Sequence, residues 1–288
     1  MKTSFVSVDP YQRGRMSEAR SYAQPIEIGD VITSQSVGEV VESTDGRFEP
    51  GDVVVGQLGW QQYAVARGGL LRKLPDGVEA QLALHVLGTT GFTAYFGLFD
   101  VCKPLAGDTV VVSGAAGAVG QIVGQLAKLA GCRTVGIAGG AEKKRDLQEL
   151  YGYDTAIDYK SENVRDALPK GIDVYFDNVG GEISAAVHSR LNVGARIAIC
   201  GQISQYNLER PEPTFVPGLL IVYRARMEGF LVSDYVHRFD EAAKRLAGWV
   251  TDGTLRYTED VTDGLENAPR AFIGMLNGEN RGKALVRV

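Results

Sequence analysis

The chain is poor in the residues that metals and disulfides require. Among 288 residues there are three cysteines and three histidines. Cys102, Cys132 and Cys200 lie far apart with no C-x-x-C pair, which argues against a disulfide framework and for a reducing compartment, the cytoplasm. His85, His188 and His237 are equally scattered, whereas a zinc site gathers three or four converging ligands. No metal is therefore expected. Long hydrophobic runs are missing too. No apolar stretch approaches the ~20 residues that cross a bilayer, and the opening MKTSFVSVDP is interrupted at Asp9 before a secretory core develops. Nor is there an excess of positive charge. A net charge of -5 removes any general attraction to nucleic acid or to anionic membranes. Neither is expected as a partner.

What is present is an ordinary globular mixture, 44% apolar and 23% charged, in a length that suits one large domain or two. Residues 4–75 read as β-rich. GDVITSQSVGEVVES and PGDVVVGQLGWQQYAVA combine short β-branched runs with Gly, Pro and Asp turn signals. Around VLGTTGFTAYFGLFD, small and aromatic residues fall at helical spacing. Beyond Thr109 the texture alternates. Strands are predicted at 109–113, 133–138, 154–158, 172–176, 195–200 and 227–232, with helices after Gly117, over 143–150 and over 183–191. In the first of these helices Val119, Ile122, Val123, Leu126 and Ala130 share one face, and Gly131 ends it. The alternation predicts an α/β fold with a Rossmann doubly wound parallel sheet. A polar helix over 239–250 leads into a tail that ends strand-like and is expected to return to the β-rich part.

The first predicted strand runs into GAAGAVG, residues 114–120. Gly114, Gly117 and Gly120 let the turn bend tightly and let backbone N–H groups approach a ligand. The helix that follows contributes unpaired donors and about half a positive charge, which suits a pyrophosphate. The competing reading is a tight turn that needs small residues for packing alone. Its place between a strand and a helix, inside a six-strand alternation, favours a dinucleotide. In the NAD form of this fold an acid near the end of the second strand binds the ribose 2′-hydroxyl. Here Gly139 and Gly140 occupy that place, and AEKKRDL follows. Lys143, Lys144 and Arg145 offer charge to a 2′-phosphate that an acid would repel. NADPH/NADP is the expected cofactor.

Further segments extend the pattern: VSVDPYQRGRM, GFTAY, GGAEKKR, FDNVGG, CGQISQYN, GFLV and LNGENRGK. Together they resemble the zinc-independent double-bond reductases of the medium-chain dehydrogenase/reductase family, which include prostaglandin, alkenal and bacterial curcumin reductases. The resemblance implies a GroES-like β domain, discontinuous in sequence, packed against the Rossmann domain with the active site between them. The corresponding division is 1–85 for the first part of the β domain, 86–235 for the NADP-binding domain, and 236–288 for a helix and the return. It implies that the turn residues Gly117, Ala118, Val119 and Gly120 hold the cofactor together with Gly139, and that Lys143 contacts the 2′-phosphate. Tyr159 would lie near the adenosine phosphate. Asn178, Gly201, Ile203, Phe230 and Asn280 would line the cofactor, with Thr93 close to the nicotinamide. A homodimer is implied as well. Family members begin a few dozen residues earlier, so the β domain is expected to be N-terminally incomplete, or the start misassigned. Thr89 and Thr90 stand where a Met-Pro pair is common, and Gln12 where Met is frequent.

Reduction of a conjugated enone or enal places hydride on the β-carbon and leaves an enolate oxygen that needs a donor. A tyrosine phenol, with an ordinary pKa of ~10, is protonated at neutral pH and can serve. Tyr206 is the first candidate for this catalytic role, with Tyr22, the ribose 2′-hydroxyl of the cofactor and water as alternatives. Tyr11 is weaker, and each of the three tyrosines has a simple packing role as its alternative. The expected function is NADPH-dependent reduction of the carbon–carbon double bond of α,β-unsaturated ketones or aldehydes. The alternatives are an NADPH quinone reductase and an NADPH-binding protein without turnover.

Overall fold

The computed structural model describes residues 1–18, 21–75, 77–210 and 216–288. They form two compact units, 1–88 with 258–288, and 89–257. The first unit opens with β1 (Lys2–Ser7), the short helix α1 (Tyr11–Arg15), β2 (Gln35–Glu39), β3 (Val53–Gln57) and β4 (Arg72–Lys73). The second unit begins with α2 (Thr89–Phe96), β5 (Thr109–Ser113), α3 (Gly120–Leu129), β6 (Arg133–Ala138), α4 (Ala141–Glu149) and β7 (Thr155–Asp158). It continues through α5 (Val164–Ala167), β8 (Ile172–Asp177), α6 (Gly181–His188), β9 (Leu191–Ile199), α7 (Pro217–Tyr223), β10 (Arg226–Gly229) and α8 (Phe239–Thr251). The chain then returns to the first unit with β11 (Glu259–Asp263), α9 (Ala268–Leu276) and β12 (Lys283–Arg287).

The second unit is the expected Rossmann sheet. Its strand order is β10-β9-β8-β5-β6-β7, every pair parallel. The central strand β5, TVVVS, is buried along its whole length, as a strand covered on both faces must be. Right-handed crossovers put α3 and α6 on opposite faces of it. Val111, Ile137, Ile157, Ile172, Tyr175 and Ile197 belong to the core on one side. Helix α3 owes its seating to a missing side chain. A Cβ on Gly124 would lie 2.0 Å from a ring carbon of Tyr153, and that ring reaches across to donate its hydroxyl to the Gly120 carbonyl at 2.7 Å.

In the first unit the sheet order is β11-β12-β1-β2-β3-β4, antiparallel apart from β11 against β12. Buried polar groups tie its centre. Lys283, 1% exposed, donates to Asp9 Oδ1 at 2.7 Å and to the Val8 carbonyl at 3.0 Å. Gln12, fully buried, accepts the Asp9 N–H at 2.8 Å and donates to the Thr33 carbonyl at 2.9 Å. The amide that replaces a frequent Met thus brackets the turn between β1 and α1.

Several boundaries differ from the sequence reading. β9 starts at Leu191, where 195 was expected, because Leu191 pairs with Ile172 ahead of an irregular stretch; the exposed Val193 and Gly194 obscure the pattern. β10 stops at Gly229, and 232–238 form a 3-10 helix instead of the end of a strand. The helix that heads the expected 236–288 segment lies in the second unit, and the chain rejoins the first unit at 258. Helix α8 stays with the second unit because aromatic and charged contacts hold it there. Phe239 packs on Phe92 at 4.5 Å, Tyr95 donates to Glu241 at 3.0 Å, and Arg238, just before the helix, pairs with Asp100 at 2.6 Å and lies over the Phe96 ring.

Candidate active site

The parallel strands of the second unit all end on one edge, at Ser113, Ala138, Asp158, Asp177, Ile199 and Gly229. In such sheets ligands bind in the crevice outside those carboxyl ends. Most of the residues singled out from sequence follow these ends directly.

After β5 the chain turns through Gly114, whose φ of +58° favours glycine. The Gly117 N–H closes the turn on the Gly114 carbonyl at 3.0 Å. A Cβ on Gly120 would meet that same carbonyl at 2.4 Å, so the turn itself requires glycine there. A Cβ on Gly117 would meet only the Gly114 carbonyl, at 3.2 Å, so a ligand can come close to that backbone position. No side chain caps the start of α3. Both features fit a diphosphate lying against the helix N-terminus.

After β6 come Gly139 and Gly140. A Cβ on Gly139 would fall 2.7 Å from the Tyr159 ring, so that ring lies flush on the backbone. The Tyr159 N–H donates to the Ala138 carbonyl at 3.0 Å, and the residue is 42% exposed. Of the basic run, Lys143 and Lys144 are half-buried and Arg145 is exposed. Lys144 is engaged elsewhere, paired with Glu162 at 2.7 Å. The charge expected from three cations at this corner is thereby reduced.

The ends of β5, β8 and β9 meet at Asp177. Its carboxylate, 1% exposed, accepts the Ser113 hydroxyl at 2.9 Å, the Tyr175 hydroxyl at 2.8 Å, the Ser184 hydroxyl, and the N–H groups of Val179 and Gly180 at 2.9 and 3.0 Å. Burial, with the Asp177 charge second, holds the Tyr175 phenol well above its ordinary pKa. Asn178 is tied to Ser113 twice, through its N–H and through its side-chain amide. Its carbonyl accepts the Ile203 N–H at 3.3 Å. The Asp177 carbonyl accepts from Gly201 at 3.1 Å. Tyr206 curls onto the same turn. Its phenol oxygen accepts the Gln202 N–H at 3.2 Å and lies 3.4 Å from where a Gly201 Cβ would stand. In that bond the phenol oxygen acts as acceptor. Phe230 packs edge-on against Phe176 at 6.2 Å.

The structure brings together Asn178, Gly201, Ile203 and Tyr206 in one cluster and Gly139 with Tyr159 in another. Thr93 also lies in this unit, with its hydroxyl donated to the Thr89 carbonyl at 2.7 Å. Tyr22 and Asn280 belong to the first unit. Tyr22 is 64% exposed; burial around its hydroxyl raises the phenol pKa, Arg15 opposes the shift and Asp9 adds to it. The Asn280 amide donates to the Gly282 carbonyl at 2.7 Å. The hydroxyl of Tyr11 is buried without a hydrogen-bond partner among the described residues. All three cysteines are free thiols. Among the described residues no group of three or more His, Cys, Asp or Glu side chains is placed to hold a metal ion, and no helix is long and apolar enough to cross a membrane.

Sequence reasoning missed Ser113, Asp158, Asp177 and Glu162. A signal existed for two of them: Asp158 and Asp177 are each the polar residue that closes an apolar run, in AID and YFD.

Two family models match the chain. Residues 1–74 match the N-terminal domain of oxidoreductase, and residues 118–248 match the zinc-binding dehydrogenase model. The chain is 45% identical to an NADPH-dependent curcumin reductase of Escherichia coli (strain K12), covering 100% of this chain and 87% of that protein. It is 43% identical to an NADP(+)-dependent 2-alkenal reductase of Nicotiana tabacum, covering 100% and 86%. The crystal structure of CurA from Vibrio vulnificus in complex with NADPH superposes with a TM-score of 0.95 at 44% identity, covering 100% of this chain and 88% of that one.

Proposed function

Because the chain belongs to the NADP-dependent double-bond reductases of the medium-chain dehydrogenase/reductase family, we propose the following roles for its residues. The protein is an NADPH-dependent reductase of the carbon–carbon double bond of α,β-unsaturated ketones or aldehydes. Bound NADPH supplies the hydride. The chain's own residues hold, orient and donate.

The turn Gly117–Ala118–Val119–Gly120 and the uncapped start of α3 receive the diphosphate. Gly139 and Tyr159 form a flat seat for the adenosine end, and Lys143 supplies charge to the 2′-phosphate. Asn178, Gly201 and Ile203, locked to one another through Asp177 and Ser113, line the nicotinamide end with Thr93 and Phe230. Asn280 is proposed as a further cofactor contact. Tyr206, oriented by the Gln202 N–H, donates its phenol hydrogen bond to the substrate oxygen as negative charge develops there, with Tyr22 as the second candidate. No residue role calls for a metal, so activity is proposed to be zinc-independent.

The observation that carries this reading is the end of β6, where two glycines replace the acid of NAD enzymes and Lys143 follows within one helical turn. Titration of NADPH and NADH against the protein tests it. NADPH should bind tighter by roughly one to two decades, the worth of one charge-assisted bond, and Lys143→Ala should remove most of that difference. Equal affinities in the unaltered protein would overturn the cofactor assignment.

The three free thiols suit a reducing cytoplasm. A homodimer would cover the edge strand β10 and the exposed apolar residues Ile221 and Val222 of α7, 77% and 63% exposed. Light scattering should then give twice the 31.0 kDa chain mass.

A further inference from the structure

NAD-type sheets direct an acid from the end of the second strand to the adenosine ribose. In this chain an acid stands one strand over and faces inward. Asp158 closes β7, the neighbour of β6. Its Oδ1 reaches across to accept the Gly140 N–H at 2.6 Å and also accepts the Lys160 N–H at 3.0 Å. Oδ2 accepts the Ser161 hydroxyl at 2.8 Å. The residue is 5% exposed, so water competes little for these bonds. Its own N–H donates to Glu162 Oε1 at 2.7 Å, the oxygen that also receives Lys144 Nζ. Gly140 immediately precedes α4, with φ +101°, and no side chain caps that helix. The bond from Asp158 ties the Gly140 backbone at the entry of α4 to the end of β7, beside the Lys144–Glu162 pair. The Gly140 N–H, followed by opposing burial and by support from Ser161, Lys160 and Lys144, holds the Asp158 carboxyl below the usual carboxylate range.

We propose that Asp158 is a positioning residue for cofactor choice: by gripping Gly140 it fixes the start of α4, and with it Lys143, against a 2′-phosphate. This rests on the reading of Lys143 given above. Lys143 lies in the first turn of a nine-residue helix, so freedom at Gly140 becomes freedom at its ammonium group. The 5′-phosphate is assigned to a different turn, the one after β5. Loss of the grip therefore weakens recognition of the 2′-phosphate selectively.

The test is calorimetric titration of 2′,5′-ADP and 5′-AMP into the unaltered protein and into Asp158→Ala, Asp158→Asn, Ser161→Ala and Lys143→Ala, with melting temperatures beside it. Asp158→Ala should lower 2′,5′-ADP affinity by roughly tenfold and leave 5′-AMP within about twofold. Asp158→Asn keeps one oxygen for Gly140 but lacks the second acceptor for Ser161, so it should fall between. Ser161→Ala should shift the ratio slightly in the same direction. A lower melting temperature with an unchanged ratio of the two affinities would show a merely structural bond and overturn the proposal. If Asp158→Ala does not fold, an unchanged ratio in both Asp158→Asn and Ser161→Ala overturns it equally. An unchanged ratio in Lys143→Ala overturns the reading of Lys143, and with it this route. A fall there without one in Asp158→Ala overturns the grip alone.

Discussion

A methyl group added at Gly139 would stand 2.7 Å from the Tyr159 ring and 2.8 Å from its hydroxyl. Gly139→Ala must push that ring off the backbone, and the flat seat for the adenosine end is lost. NADPH affinity should drop by about tenfold while the melting temperature scarcely moves, because Tyr159 is at the surface. Titration and a thermal melt check both. Tyr206→Phe keeps the ring and removes one hydroxyl. A lost oxyanion donor lowers kcat by about two to three decades, with NADPH binding preserved. A loss confined to KM would assign Tyr206 to the pocket wall. Glycines and lysines in a strand-to-helix context were legible in the sequence because their chemistry needs no partner to be recognised. Asp158 and Asp177 were not. Each acts by accepting from residues on other elements, and pairings across a sheet leave no local pattern. The same reason explains why Lys144 reads as a free cation until the structure pairs it with Glu162.

At the scale of elements, α3 and the strand-to-helix turn depend on Tyr153, which is 3% exposed and bonded to the Gly120 carbonyl. Gly124→Ala would gain helix propensity of up to ~1 kcal/mol but places a methyl group inside that ring, and overpacking of this kind costs ~1–3 kcal/mol. The close approach of 2.0 Å, to a buried ring, decides for the second effect. The variant should melt lower, and NADPH should restore part of the loss by binding the folded form. Apolar runs bounded by turn residues made β5 and β6 readable from sequence to the residue. β9 was read short because its first contact, Leu191 with Ile172, precedes an exposed Val-Gly step. Tertiary pairing, not the alternation of the strand itself, sets that end.

For the whole molecule, several titrating groups lean the same way in acid. The pKa values of Asp158, Glu162 and Glu241 lie below their ordinary 3.8, 4.5 and 4.5, owing first to Gly140, Lys144 and Arg238 respectively. Each contributes stability above its ordinary pKa and loses it as pH falls through the folded value. His188, 2% exposed with its ring edge-on to Tyr175, is held below 6.5 by burial, against the Asp177 charge. Its contribution is complete above pH 6.5 and declines below it, because the unfolded chain takes up that proton first. The melting temperature should therefore fall in two stages on acidification. The first begins near pH 6.5 and should be reduced in His188→Gln, and the second begins near pH 4.5. A flat profile from pH 7 to 5 would contradict the assignment to His188.

The two-part organisation was legible from the change of texture near residue 86. Which unit holds α8 was not, because its contacts with Phe92, Tyr95 and Asp100 join partners distant in sequence.

The central claim is that the protein reduces an activated carbon–carbon double bond with NADPH. It is tested most directly by identifying the product formed from one simple conjugated enone with NADPH in metal-chelated buffer. The expected result is the saturated ketone, with one NADPH oxidised per molecule formed and a deuterium from C4-labelled NADPH at the β-carbon. An allylic alcohol, a product formed only when zinc is restored, or oxidation of NADPH by quinones alone would contradict it.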